Sequence, residues 1–297
     1  MWRVFAATVA EGFIAKSMAF ENTAGAVKHQ AVALRVQGDR SAFFDCAMHG
    51  YQDTLYTHAH RQFYRNCEIS GTVDFIFGYG TTLIQNSRII VRKPDPNQQN
   101  IIVADGTDQK NMPTGAVLQN CEIMASPELE QEKANFKSYL ARPWKAYSRA
   151  IFIENTIGDL IQPDGFLPWS GNQFLDTCYF AEYENTGMGA DVKARVKWSR
   201  GVLSKAEANK YTADQWLQAN TWLPATGVPF DLGLTKAWTQ THASSNACIN
   251  KCMHFWWLAC PVTSFFLTVA NTYLAIYQMS LRFRWTAILS VYTLTKK

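Results

Sequence analysis

Tyr64-Arg65-Asn66-Cys67-Glu68-Ile69, Ile84-Gln85-Asn86-Ser87-Arg88-Ile89 and Leu118-Gln119-Asn120-Cys121-Glu122-Ile123 are three copies of one pattern. In each, an apolar or aromatic residue leads into a polar turn residue and a small residue, after which an apolar run resumes. Weaker copies lie outward at Phe20-Glu21-Asn22-Thr23, Phe44-Asp45-Cys46 and Ile153-Glu154-Asn155-Thr156-Ile157. The polar positions 22, 45, 66, 86, 120 and 155 are separated by 23, 21, 20, 34 and 35 residues. Self-similarity with a period of about 20–50 residues marks a solenoid.

The apolar runs decide which solenoid. Ala31-Val32-Ala33-Leu34, Phe75-Ile76-Phe77, Ile89-Ile90-Val91 and Ile101-Ile102-Val103 are short, rich in Val, Ile and Phe, and bounded by Gly, Asn and Asp. Such runs are strands, not helices. Strands recurring in one direction, one set per turn, predict an all-β fold, a parallel β-helix whose coils stack about 4.8 Å apart. The repeated Asn predicts an amide ladder inside the turns, with Cys46, Cys67 and Cys121 stacked one position later. The longer spacings predict extended loops, one over 126–139. Helix is expected only at 127–135 and 205–219, where Ser204 and Thr212-Ala213-Asp214 offer caps.

Composition bounds the function classes. With 297 residues, 47% hydrophobic and 18% charged, the chain can bury a full core without disulfides or a structural metal. The formal charge of +4 is misleading: residues 235–297 carry six Lys and Arg and no Asp or Glu, leaving 22 basic against 24 acidic residues in 1–234. No basic face for nucleic acid follows. The seven cysteines are too scattered for a disulfide scaffold, and Cys248, Cys252 and Cys260 with His242 and His254 match no zinc order, so no metal is expected. Met1-Trp2-Arg3-Val4-Phe5-Ala6-Ala7 runs into Glu11-Gly12 too early for a signal-peptide core and reads as the middle of a domain.

The phase of the repeat points to chemistry. Asp53 in Tyr51-Gln52-Asp53-Thr54-Leu55-Tyr56 and Asp74 in Gly71-Thr72-Val73-Asp74-Phe75-Ile76-Phe77-Gly78 lie 21 residues apart, one coil. Equal phase on adjacent coils sets two carboxylates side by side, and such a pair resists double ionisation: one keeps its proton, the other is a free anion. Taken singly, an Asp beside Thr is a turn or cap residue. Gln30 lies 23 residues before Asp53 and joins the same row, whereas Gln52 points to the other side of the strand unless the backbone turns there. Arg142, 68 residues after Asp74, fits two of the longer coils and is either the partner that holds a carboxylate anionic or an ordinary surface ion pair. Trp144, next to Pro143, is core or a sugar-stacking platform.

Gln30-Ala31-Val32-Ala33-Leu34-Arg35, the blocks at 50–56 and 71–78, Leu140-Ala141-Arg142-Pro143-Trp144 and Trp222-Leu223-Pro224-Ala225-Thr226-Gly227-Val228-Pro229-Phe230 resemble, in order, the signature blocks of plant pectin methylesterases. The resemblance covers about residues 8–234. It implies a right-handed parallel β-helix, secreted to the cell wall, that removes methyl esters from methyl-esterified pectin (homogalacturonan) without a cofactor. It further implies that Asp74 is the nucleophile, Asp53 the proton donor and later base, Gln30 an oxyanion-hole glutamine with Gln52 its helper, and Arg142 and Trp144 a substrate-binding pair. A proteinaceous pectinesterase inhibitor is the implied protein partner.

Departures from the family set further expectations. The first coil or more and a substrate-contacting threonine have no counterpart here, nor do the secretion signal and inhibitor-like pro-region. Where the family pairs the cysteine at 67 with one a coil later, this chain has Ser87, and Cys46 is the alternative partner. Residues 235–297 are unlike the family; 255–281 is uncharged, a transmembrane candidate weakened by Pro261, Asn271 and Gln278, and the other reading is a tail translated from non-coding or mis-spliced sequence. The expected domains are therefore 1–234 and a tail that serves no catalytic role. Two functional classes stay open: an active esterase, or a non-catalytic wall-polysaccharide binder or inactive truncated product.

Overall fold

The computed structural model describes residues 3–235. The expectations for the tail, for its 255–281 run and for Cys248, Cys252 and Cys260 concern residues outside that span. Three parallel sheets wind around one interior as a right-handed parallel β-helix. The first sheet stacks Arg3–Thr8, Ala31–Val36, Leu55–Thr57, Ile76–Gly78, Asn100–Asp105 and Ser138–Ala141. The second has seven strands, from Ile14–Lys16 to Tyr179–Tyr183, and the third has six, from Ala19–Glu21 to Thr156–Ile157. Three of the four short runs read as strands lie wholly in strands, and the fourth, Phe75-Ile76-Phe77, does so except for Phe75, since that strand begins at Ile76.

Stacking fixes the register because identical side chains pile into rows. In the third sheet Ile69 pairs with Ile89, Ile89 with Ile123 and Ile123 with Ile157, each at most 1% exposed. Each such side chain contributes roughly 1.5–3 kcal/mol of burial, and a one-residue slip would turn the whole row outward. In the second sheet Phe43 stacks on Tyr64, ring centroids 4.8 Å apart. Its outer face, with Phe63, Leu83, Val117 and Ile151, is covered by Leu217, Trp222 and Leu223 from the C-terminal segment of the described chain.

The turn ladder differs from expectation. The left-handed residues between the second and third sheets are Ser17, Asp45, Asn66, Asn86, Asn120, Glu154 and Glu184. The repeat is therefore phased on Ser17 and Glu154 at its ends, not on Asn22 and Asn155. Asn66 and Asn120 are exposed, and the one amide contact in this row, Asn120 Nδ2 to Asn86 Oδ1, is on the surface. The inward ladder is built one residue later. There Ser87 Oγ accepts from Cys67 N–H, Asn155 Oδ1 from Cys121 N–H, and Asn185 Oδ1 from Asn155 N–H. Asn and Asp tolerate the left-handed region because their short side chains relieve its steric cost, which is why residue type alone flagged the turn but misplaced its ends.

Cys46 and Cys67 occupy this row on neighbouring coils, yet both are free thiols, as are Cys121 and Cys178. Burial pushes the Cys67 thiol up to about 12. The expected helices form as short pieces: Pro127–Glu130, capped by Ser126, and Lys205–Ala208, closed by a Ser204–Glu207 capping box. Thr212 precedes Ala213–Leu217 but makes no side-chain cap; its hydroxyl donates to Asn209 O instead.

Candidate active site

The first sheet sets the site's geometry. Leu55 is paired with Ile76, Ile76 with Val103 and Val103 with Ala141, so Asp53 and Asp74, each two residues before its strand partner, stand one above the other. Asp53 N–H donates to Val73 O at 3.0 Å, tying the two turns together. Both aspartates hold left-handed backbone, φ 65° and 51°, which lifts their side chains out of the strand alternation. Such positions cost of order 1–3 kcal/mol when the surroundings impose them, and they concentrate at functional sites. Gly71 is imposed on the same turn: a Cβ there would sit 2.2 Å from Phe75 Cβ and 2.7 Å from Thr54 Oγ1.

Asp53 and Asp74 are 4% and 7% exposed. Arg142 follows the strand Ser138–Ala141, its N–H donating to Val103 O, and grips Asp74 through both forks: Nε to Oδ1 at 2.8 Å and Nη2 to Oδ2 at 2.5 Å. This is a largely buried, bidentate pair and not a surface salt bridge. Burial pushes Asp53 up to about 8, helped by the Asp74 charge and opposed by Arg142. Burial also raises Asp74, but Arg142 pulls against it directly. The guanidinium works against a proton on Asp74 directly, whereas Asp53 lacks such a partner, so of the two Asp53 holds its proton the more strongly.

Beside the pair, with Arg142 in its wall, lies a cleft of about 370 Å³ lined by His29, Gln52, Val73, Gln98, Gln99, Ile101, Arg142 and Leu167; the two aspartates themselves are not in its lining. Gln52 faces this cleft, since the backbone turns at Asp53. Gln30 is exposed; it follows His29 of the cleft wall and precedes the strand that begins at Ala31, whose N–H donates to Gln52 O at 3.1 Å. It does not pack into the interior. Trp144 lies apart from these amides, half-buried on an aromatic patch at the far end of the same strands. There its ring meets Tyr79 at 5.1 Å and Phe77 at 6.1 Å, and Phe77 stacks on Tyr56 at 4.5 Å. Among the described residues no three His, Cys, Asp or Glu gather as a metal site.

Trp169 went unread in the sequence. Its ring lies under the Arg142 guanidinium, 4.4 Å from Cζ, a cation–π contact that steadies the arginine. The signal was present: Pro143-Trp144 recurs as Pro168-Trp169 25 residues later, and Ala141 bridges Phe166 at the same offset.

The Pectinesterase family model matches residues 3–220. The chain is 48% identical over 231 residues to Pectinesterase/pectinesterase inhibitor 3 of Arabidopsis thaliana, a match covering 77% of this chain and 39% of that protein. Among solved structures it resembles a pectin methylesterase from carrot, with TM-score 0.76, 46% identity and coverage of 77% of this chain and 72% of that one. A pectin methylesterase in complex with a hexasaccharide aligns with TM-score 0.58 and 26% identity over 72% of each chain. The chain spans less than half the length of the curated plant relatives it matches. With its parallel coils, its paired aspartates and these matches, the chain belongs to the pectinesterase family.

Proposed function

We propose that this chain hydrolyses methyl esters on galacturonan, yielding free carboxylate and methanol by a two-aspartate route. The observation that carries the reading is the in-register pair in which Arg142 grips Asp74 and burial keeps the proton on Asp53. Asp74 attacks the C6 carbonyl; the carbonyl π electrons move to oxygen, where the Gln30 and Gln52 amides donate hydrogen bonds. Collapse breaks the bond to the methoxy oxygen, which leaves as methanol with the Asp53 proton. Water then attacks the acyl-enzyme, gives a proton to the Asp53 carboxylate, and expels Asp74 as the anion. Trp144 and Trp169 supply faces on which sugar rings stack. The scheme draws on no metal or organic cofactor.

The domain reading is a pectinesterase-like β-helix over 1–234 with a tail, 235–297, outside catalysis. A membrane role would require the 255–281 run to insert. A pectin substrate supports action in the plant cell wall, which would follow secretion. The pectinesterase/pectinesterase inhibitor naming of plant relatives suggests a proteinaceous inhibitor as partner. The deciding experiment is methanol release from highly methylated pectin by the purified chain, with Asp74→Ala as control. Release by wild type and none by the variant supports the reading. Binding of pectin without release would make the chain a polysaccharide binder.

A further inference from the structure

Asp105 is a fully buried carboxylate, 2% exposed, that the scheme above does not use. It ends the strand Asn100–Asp105, one coil from the aromatic patch, and closes both ends of the loop 142–149. Its backbone carbonyl accepts from Trp144 N–H, near the front of that loop, at 3.3 Å, and from the Ser148 hydroxyl near the back. At the back its carboxylate Oδ1 accepts from Arg149 N–H at 2.7 Å, and the same oxygen accepts from Thr107 N–H at 3.1 Å. The following residue, Gly106, lies against the rings the loop carries: a Cβ there would come within 2.7 Å of Tyr79 and 2.8 Å of Trp144. Asp105, together with Thr107 O, which accepts from Tyr147 N–H at 2.9 Å, therefore sets the loop's height, and Gly106 sets how closely the Trp144 ring approaches.

We infer that Asp105 is a positioning residue that holds the 142–149 loop so that Trp144 presents its ring to substrate. The inference rests on the reading of Trp144 as a sugar platform. Arg142 is anchored separately, by Val103 O and by Asp74, so loss of the clamp acts on binding and not on the attacking carboxylate. The groups facing Asp105 are Arg149, from the strand after the loop, and Tyr79, from the neighbouring coil, itself also facing Asp108. Burial raises the Asp105 carboxyl to about 6, opposed chiefly by the Arg149 and Thr107 hydrogen bonds. Above that pH the carboxylate accepts as an anion; below it the neutral acid accepts more weakly.

The test compares wild type with Asp105→Ala and Asp105→Asn. Asp105→Ala keeps the backbone carbonyl that accepts from Trp144 but removes the acceptor of the Arg149 and Thr107 N–H groups, so amide exchange at Thr107 and over 145–149 accelerates while the third sheet is unchanged. KM for a methylated oligogalacturonate rises about tenfold, with kcat within about twofold, as loss of a charge-assisted hydrogen bond predicts. Asp105→Asn, which keeps an acceptor oxygen, gives an intermediate KM that is flat with pH, whereas wild-type KM climbs toward that value as pH falls through about 6. Unchanged exchange and KM in Asp105→Ala, or a loss confined to kcat, overturns the proposal, as does an Asp105→Asn variant no better than Asp105→Ala. If wild type releases no methanol, the hydrolytic reading fails by itself. Calorimetric binding of the same oligomer then replaces KM: weaker binding by Asp105→Ala upholds the clamp, and equal binding, or none by wild type, overturns it.

Discussion

At the scale of single residues, the protonation of Asp53 sets both activity and stability. The proposed leaving-group step needs the acid form, so methanol release should fall as pH rises through about 8, read from a kcat profile. A carboxyl whose folded pKa is raised stabilises the fold relative to the unfolded chain at low pH, and that contribution is lost as pH rises to the folded value. Asp53→Asn should therefore abolish turnover yet raise Tm, with a gain that opens above about pH 4 and levels off above about 8. A Tm unchanged across that range would place the proton elsewhere. Gln52→Ala and Gln30→Ala should each lower kcat by roughly 10²–10³, the usual loss for an oxyanion donor, and an effect confined to KM would remove that role. Asp53 and Asp74 were legible because their 21-residue spacing equals the coil. The facing of Gln52 was not, since it depends on the φ of 65° at the next residue, which Asp permits without announcing.

At the scale of elements, the inward ladder carries the turns. Asn155 is fully buried; its Oδ1 accepts from Cys121 N–H at 2.8 Å and its Nδ2 donates to Leu118 O at 3.0 Å. Asn155→Ala leaves buried backbone groups unpaired and should cost about 1–3 kcal/mol in denaturant unfolding. Asn120→Gly, at an exposed left-handed position that glycine adopts freely, should stay within about 0.5 kcal/mol. Equal losses would mean that the surface asparagines, and not this row, hold the turns. The two were hard to separate in sequence because Asn appears at both positions: it supplies left-handed backbone at 120 and a buried amide at 155. Strands and the Ser204 cap were readable from local composition, whereas Thr212 turned its hydroxyl to Asn209 O instead of capping. The cleft walls at Gln98 and Gln99 were not, since they belong to a loop whose path is set by the coils around it.

At the scale of the whole molecule, the described body closes on itself at its C-terminal side. Thr235 N–H and Oγ1 donate to Glu154 Oε2 at 2.8 and 2.7 Å, and Gln119 Nε2 donates to Gly233 O at 2.8 Å. A chain ending at Thr235 keeps these contacts. Its methanol release per folded molecule should equal that of the full chain, and a loss with the β-helix signal in circular dichroism intact would assign 236–297 a part in catalysis. The inward ladder also has a direction. Cys67 N–H waits for Ser87, Cys121 N–H for Asn155, and Asn155 N–H for Asn185: every rung is completed by a residue that comes later in the chain. During synthesis the amino end emerges first, so each coil leaves the ribosome with a turn that its successor has yet to seal. Ordering therefore trails the growing end by one coil, a lag written into which atom donates and which accepts.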